Sequence, residues 1–225
     1  MLGGKYRELQ LKKEAVHVWL FLVNSYKQVF MNPILNNNQF FVKEHTGIFK
    51  AANNFDVLDP TSGQIVLNCR EDNLGGFTKM LRFTDYKRMT PFHLEIKTPA
   101  GQKVITVKRG ISIILSTAEV LDENDRIIGY FKQKFFSIGG KFDVLDANNQ
   151  VLCTLKGKWT SWDFKFMQGE TELAHVSKKW AGLGKELFTS ADNYMLEIKP
   201  VVAANSPIRQ MILAAVLCID MVLKE

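Results

Sequence analysis

The last stretch of the chain limits the fold more than any other. After Ser206 and Pro207 the residues run Ile208-Arg209-Gln210-Met211-Ile212-Leu213-Ala214-Ala215-Val216-Leu217-Cys218-Ile219-Asp220-Met221-Val222-Leu223. Serine offers a side-chain acceptor to the first free N–H groups, and proline presets φ without an N–H to satisfy. The pair therefore marks the start of one helix over about 206–224. From Met211 onward the helix is apolar on every face except at Asp220, and such a helix has to be enclosed by protein or by lipid. At 1.5 Å per residue it reaches about 27 Å. Its continuously apolar part falls short of the ~20 residues that a bilayer span needs. Enclosure by protein is the expectation.

What could enclose it is written between residues 39 and 199. Short alternating runs are divided by Asp59-Pro60-Thr61-Ser62-Gly63, Pro99-Ala100-Gly101, Asp122-Glu123-Asn124-Asp125, Asp146-Ala147-Asn148-Asn149 and Gln168-Gly169. Such residues supply positive φ, preset φ or side-chain acceptors, so each cluster reads as a hairpin loop, with a further hairpin around Thr46-Gly47. Three hairpins repeat a pattern: Phe55-Asp56-Val57-Leu58-Asp59 leads to Ile65-Val66-Leu67, Ala118-Glu119-Val120-Leu121-Asp122 to Ile127-Ile128, and Phe142-Asp143-Val144-Leu145-Asp146 to Val151-Leu152. Period-two alternation sets Trp162, Phe164 and Phe166 against Asp163 and Lys165, and Leu94 and Ile96 against Glu95 and Lys97, as a sheet with one wet face requires. Phenylalanine supplies 16 of the 25 aromatic residues, so the inner face should be rich in rings. With Tyr194 to Lys199 the strands number about a dozen, against ~5–6 in an average sheet. A sheet that large should close. The expected fold is mainly β, a closed antiparallel barrel of about twelve strands around a buried C-terminal helix, because closure removes the edges and the helix fills a lumen too wide for side chains alone.

A chain of 225 residues suits one such domain, 39–225, preceded by an N-terminal extension, 1–38, that is helical or poorly ordered. The apolar run Ala15 to Val23 lacks the leader and cleavage site of a signal peptide and is too short to span a bilayer. The change of composition at Met31-Asn32-Pro33 raises the expectation that Met31 is the true start. The 29 Lys and Arg against 23 Asp and Glu give +6, of which residues 1–30 carry 5 − 2 = +3. Cys69, Cys153 and Cys218 lie far apart without CxxC spacing, and His17, His45, His93 and His175 without helix-face spacing. Neither a disulfide framework nor a zinc site is indicated, and a reducing interior is the expected home.

A resemblance to a known family is carried by Lys179-Trp180-Ala181-Gly182, by Glu186-Leu187-Phe188-Thr189-Ser190-Ala191-Asp192-Asn193-Tyr194, and by Cys218-Ile219-Asp220 with Glu225. These segments resemble the phospholipid scramblase family within the Tubby-like C-terminal superfamily. Phe55-Asp56-Val57-Leu58-Asp59 with Asn68-Cys69-Arg70-Glu71 is similar to that family's early hairpin. The resemblance covers about residues 39–225 and implies a twelve-stranded barrel around a hydrophobic C-terminal helix. It further implies a membrane-associated protein that binds phospholipid or moves it between leaflets. The aspartates of the calcium segment in animal scramblases fall here on Ser190, Asp192 and Val201. Asp192 alone survives, and with Asn193 it is a weak candidate for an ion that takes 6–8 oxygen ligands, so no tightly bound cofactor is expected. The proline-rich leader and palmitoylated cysteine cluster of animal members are absent.

The expected function is accordingly scramblase-like binding of anionic phospholipid or a membrane surface, in the cytoplasm or peripheral at the cytoplasmic membrane face. The alternative is a non-enzymatic scaffold for a protein partner. Candidate lipid-binding residues are Lys132, Lys134, Lys156, Lys158, Lys165, Lys178 and Lys179, joined along the later hairpins by Lys141 and Lys185; any one of them singly reads as an ordinary solvated strand position. GxSxG, P-loop, HExxH and dinucleotide fingerprints are all missing, so no enzyme is expected, and the charge excess is too modest to indicate nucleic acid. Asp220 stands apart, since a carboxylate in an apolar helix costs several kcal/mol unless paired or neutralised. It should lie near the open barrel end, either meeting a lysine, arginine or backbone donor or forming part of a polar site at the mouth.

Overall fold

The computed structural model describes residues 31–45, 52–72, 74–84, 89–111, 117–133, 142–158, 162–178 and 193–223, without the side chains of 77, 158, 222 and 223. Within the compact unit Asn32–Glu225, twelve strands form one closed antiparallel barrel: β1 (Gln39–Glu44), β2 (Phe55–Leu58), β3 (Ile65–Arg70), β4 (Phe92–Lys97), β5 (Lys103–Arg109), β6 (Thr117–Leu121), β7 (Ile127–Gln133), β8 (Phe142–Asp146), β9 (Val151–Lys158), β10 (Asp163–Gln168), β11 (Thr171–Ser177) and β12 (Asn193–Ile198). Each strand pairs with its neighbours in sequence, and the ring closes through β1 on β12, with Phe41 opposite Met195 and Val42 opposite Tyr194. A six-residue helix α1 (Gly76–Leu81) lies between β3 and β4, and the terminal helix α2 spans Pro207–Leu223.

The repeat in the sequence has a physical counterpart. In each of its three hairpins the terminal aspartate accepts backbone N–H groups of the turn: Asp59 from Thr61 and Ser62, Asp122 from Asn124 and Arg126, Asp146 from Asn148 and Gln150. Its own N–H donates to the carbonyl that opens the return strand, at 2.9 Å in all three. A left-handed residue completes each turn, Gly63, Asp125 or Asn149, at φ 69°, 61° and 62°, a region that Gly, Asn and Asp tolerate best. In all three the register slips by one just before the turn, at Val57/Leu58, Val120/Leu121 and Val144/Leu145. Such bulges sharpen the twist that a closed barrel needs.

These turns define one end of the barrel, the turn end; the longer connections, including α1, lie at the other, the loop end. Phe40, Phe55, Phe131, Phe142, Phe164 and Phe166 are all buried, which makes the interior the ring-rich face that the alternation predicts. Trp162 precedes β10 in a turn with φ 51° and is half-buried, its ring centroid 6.0 Å from that of Phe164.

Helix α2 enters at the turn end. Every residue from Arg209 to Met221 is buried, and an unbroken buried run covers all faces of a helix, which only enclosure achieves. Against the helix, Gly129 of β7 leaves no room for a side chain: a Cβ there would overlap the Leu145 carbonyl oxygen and lie 2.6 Å from Met211 Cε. Arg209, in the first turn, is anchored by carbonyls. Its Nε donates to Ala203 O at 3.0 Å, its Nη2 to Val202 O at 2.7 Å and Asn38 Oδ1 at 2.8 Å, and its Nη1 to Asn37 O at 3.0 Å and more distantly to Leu35 and Asn36 O. Through it the 3-10 turn Pro33–Asn36 packs with the barrel unit, so residues 32–38, grouped above with the extension, are held against the helix entrance.

Candidate functional site

The barrel register decides which lysines are neighbours. Lys156 on β9 lies directly opposite Lys165 on β10, and Lys165 opposite His175 on β11, so the three form one row across the outer face. Like charges directly opposite on one face are destabilising. Glutamates relieve the pair, Glu172 at 2.6 Å from Lys165 and Glu170 at 3.8 Å from Lys156. The Lys165 bond, then Lys199, hold the Glu172 carboxyl below its ordinary pKa against the opposing effect of burial. His175 meets Asp163 at 2.9 Å, and Asp163 pairs in register with Lys158. Lys132 is also exposed, but two strands away on β7, opposite Asp143. Lys178 sits at the loop end with its Nζ 5.7 Å from the Trp162 ring centroid. Lys134, Lys141, Lys179 and Lys185 lie outside the described residues.

The interior polar site is built at the loop end, where α2 finishes. Asp220 is 2% exposed. Burial first, then the charge of Asp220, hold the neighbouring Tyr194 phenol well above its ordinary pKa. Tyr194 is fully buried with Trp162 stacked on its ring, centroids 4.1 Å apart. The left-handed conformation of Trp162 turns its indole onto this end of the core. Asn193, the calcium candidate inside the described residues, is buried at the start of β12, and Asp192 lies outside them. Among the described residues no group of three His, Cys, Asp or Glu could hold a metal ion.

A second loop-end cluster carries no periodic signal in the sequence. Glu71, just past β3, accepts from Arg82 through both oxygens at 2.5 and 2.6 Å, and from the backbone and side-chain amides of Asn53 at 2.9 Å. Arg82 also donates to Pro91 O at 2.7 Å, and Arg109, at the end of β5, donates to Thr90 O at 2.6 Å. One buried carboxylate thereby ties the β1–β2 connection, through Asn53, to the β3–β4 connection, through Arg82. Beside it an open cavity of about 550 Å³ is walled by Glu71, Phe92, His93, Lys108, Arg109 and Thr117 among others. The Arg109 guanidinium lies 4.8 Å from the Phe92 ring centroid, and burial lowers its pKa from the ordinary value. Of this cluster, sequence reading reached Glu71 alone, through its hairpin segment. Arg82 and Arg109 join it only once the β3–β4 and β5–β6 connections fold over the same end.

Comparison with known proteins gives this geometry a family. A phospholipid scramblase family member 5 from Homo sapiens is 28% identical over 120 residues, covering 47% of this chain and 44% of the relative, so the chain spans less than half the length of that curated relative. An X-ray structure of a protein from Arabidopsis thaliana superposes with a TM-score of 0.53 over 88% of this chain and 99% of that one; at 15% identity it shows the fold alone. The barrel with its enclosed helix is consistent with the Tubby-like superfamily. A family model described as Scramblase matches residues 29–225, from before the first strand to the last residue of the terminal helix and beyond, and the chain belongs to that family.

Proposed function

We propose that this chain is a membrane-associated phospholipid-binding protein of scramblase type, which meets the anionic face of a membrane through the outer surface of β9–β11. Membership of the scramblase family supports a lipid-related role. The observation that carries the choice of surface is the direct pairing of Lys156 with Lys165. A like-charge pair costs stability, and an anionic surface would offset that cost. Lys132 and Lys178 extend the same positive potential to either side, and no calcium site is needed for it. None of the helices among the described residues is long and apolar enough to cross a membrane, so the attachment proposed is peripheral, at the cytoplasmic leaflet where anionic lipids concentrate.

Co-sedimentation of the full chain with phosphatidylcholine vesicles, with and without phosphatidylserine, tests this at two salt concentrations and with or without calcium. Pelleting should require the anionic lipid, weaken with salt and ignore calcium. At ~1 kcal/mol per lysine near the surface, replacing Lys156, Lys158 and Lys165 by Gln should cost ~3 kcal/mol, or roughly a hundredfold in affinity. Unchanged binding by the triple variant would remove this surface from the reading. A chain that ignores vesicles altogether would shift the function to a scaffold for protein partners.

A further inference from the structure

We propose that the barrel meets a bilayer end-on, loop end first, with Met80, Phe83 and Ile111 seated among the lipid headgroups. The inference rests on the membrane association proposed above and adds which end of the barrel enters and which side chains lead. Met80 and Phe83 are each 61% exposed and Ile111 is 77% exposed. The Phe83 N–H donates to Met80 O at 3.2 Å, closing a turn at the end of α1, and side chains three apart in such a turn stand on one side. Between them Arg82 is 6% exposed, its guanidinium held by both oxygens of Glu71 and by Pro91 O. Drawing Arg82 inward leaves its neighbour Phe83 to face out. A buried ion pair thus holds two large apolar side chains in water, where their removal into an apolar phase would be favourable. Ile111 belongs to the same region, since Thr78 of α1 and Gly110, just before Ile111, line one cavity.

Exposed apolar residues are ordinary singly, and the turn end has them too: Ile65, Ile127, Val151 and Val201 are between 40% and 61% exposed. Charge separates the two ends. Ile65, Ile127 and Val151 each follow a turn capped by an aspartate, Asp59, Asp122 or Asp146, so an anionic surface would meet carboxylates there that the turns require. At the loop end Lys43, Lys79 and Lys132 are exposed. Of the loop-end carboxylates, Glu71 is buried against Arg82, Glu119 lies 3.2 Å from Lys108 and Asp163 lies 2.9 Å from His175, while Asp72 is exposed. The sequences of the connections differ in the same sense: the one that Ile111 opens continues Ser112-Ile113-Ile114-Leu115, against Asp146-Ala147-Asn148-Asn149 at the other end. Apolar side chains beside lysines, whose stems lie along apolar surface while their heads stay in water, suit an anionic headgroup layer over an apolar phase. The lysine row agrees with this orientation. Lys156 and Lys165 stand two residues from the loop-end limits of β9 and β10, Lys158 and Asp163, or about 7 Å, so a barrel standing on its loop end brings the row to the headgroups as well.

Environment-sensitive thiol labels test the orientation in the full chain. The three native cysteines are buried, so a nitrobenzoxadiazole label can be placed at Phe83→Cys or Ile111→Cys and, for comparison, at Ile65→Cys or Val151→Cys, all of them exposed positions. With vesicles of phosphatidylcholine and phosphatidylserine, the labels at 83 and 111 should brighten at least twofold, shift to the blue and be quenched by brominated acyl chains. Those at 65 and 151 should stay as they are in buffer. Replacing Met80 and Phe83 together by Ser should weaken pelleting at least tenfold, leave the melting temperature in place and keep the salt dependence of the parent chain, which the Lys156, Lys158 and Lys165 variant should lessen. Pelleting that leaves the labels at 83 and 111 unchanged, or a response at 65 and 151 instead, overturns the end-on orientation and leaves the lipid-binding reading standing. A response at 83 and 111 that survives in the triple lysine variant supports the orientation even where the lysine row fails. A chain that pellets with no vesicle overturns both and assigns the apolar patch to a protein partner.

Discussion

Arg209→Met should loosen the barrel at the point where its helix enters. Arg209 is 3% exposed, and its guanidinium satisfies four acceptors at 3.0 Å or closer, Val202 O, Asn38 Oδ1, Ala203 O and Asn37 O, with two more at 3.3 Å. Methionine keeps much of the stem's volume but donates nothing. A buried acceptor left without a donor costs ~1–3 kcal/mol. Four such losses at the lower limit give ~4 kcal/mol, from which the desolvation of the lost charge is regained in part. The arginine also stands in the first turn, the end of the helix where the macrodipole disfavours a cation, so removing it returns a few tenths of a kcal/mol. A net loss of ~3 kcal/mol remains. For a domain of this size ~1 kcal/mol moves Tm by ~2–4 °C, so the midpoint should fall by ~6–12 °C. Thermal and urea unfolding followed by circular dichroism measure it, and Arg209→Lys, with three donors and the charge kept, should fall between. A loss below ~1 kcal/mol in the methionine variant would refute the reasoning, because it would mean that water or other groups satisfy those carbonyls.

Gly129→Ala should destabilise by ~1–3 kcal/mol through overpacking against the Leu145 carbonyl and Met211, and Met211→Ala in the same chain should return part of it; urea midpoints for the two variants and their double check the coupling. Asp122 gives an acid-limb prediction. Burial raises its pKa, but the Arg126 side chain at 2.8 Å and the backbone N–H groups of Asn124 and Arg126 outweigh that and leave it below the ordinary carboxylate value. The unfolded chain therefore takes up the proton first, and the stabilisation is complete above pH ~4–5 and is lost as pH falls through the folded value. Asp122→Asn should lower stability at neutral pH and flatten that acid limb, and parallel stability curves for the two proteins between pH 5 and 2 would contradict it. All three cysteines are buried and reduced, with Cys153 and Cys218 pushed up to about 12 by burial. A thiol reagent should find none of them in the folded chain at pH 8 and all three in urea; a reactive Cys218 in the presence of vesicles would show that the helix leaves the barrel there.

What could be read from residues alone depended on the range of the interaction. The three Val-Leu-Asp hairpins are local, and an aspartate capping its own turn leaves a legible mark within six residues. The enclosed helix was legible too, because thirteen residues with a single charge admit few environments. Pairings across the barrel were not. That Lys156 faces Lys165 depends on the β9–β10 register, which no local pattern states. Lys132 belonged to the same list by charge, yet β8 separates its strand from β9. Arg209 read as one more residue of a helix start, and its partners Leu35, Asn37 and Asn38 stand some 170 positions earlier in the chain. The Glu71, Arg82 and Arg109 cluster was invisible for a similar reason: nothing in the spacing of these three residues says that they end in one place. The alternation of β10 set Trp162 beside Phe164, where its ring lies, but gave no sign of its left-handed backbone or of its stacking on Tyr194.

The closure of β1 on β12 and the position of α2 after the last strand also set the order of events during synthesis. One edge of the first strand pairs with β2 at once, the other waits until residues 193–198 exist, and the inner faces of all twelve strands wait for residues 207–223. At ~5–20 residues per second, the 185 residues from Gln39 to Leu223 take roughly 10–40 s to make. During that interval each completed hairpin shows an apolar face and two unpaired edges to its surroundings. Nascent chains should therefore depend on chaperones until α2 has emerged, and a stop placed before residue 207 should yield aggregate rather than a shortened barrel.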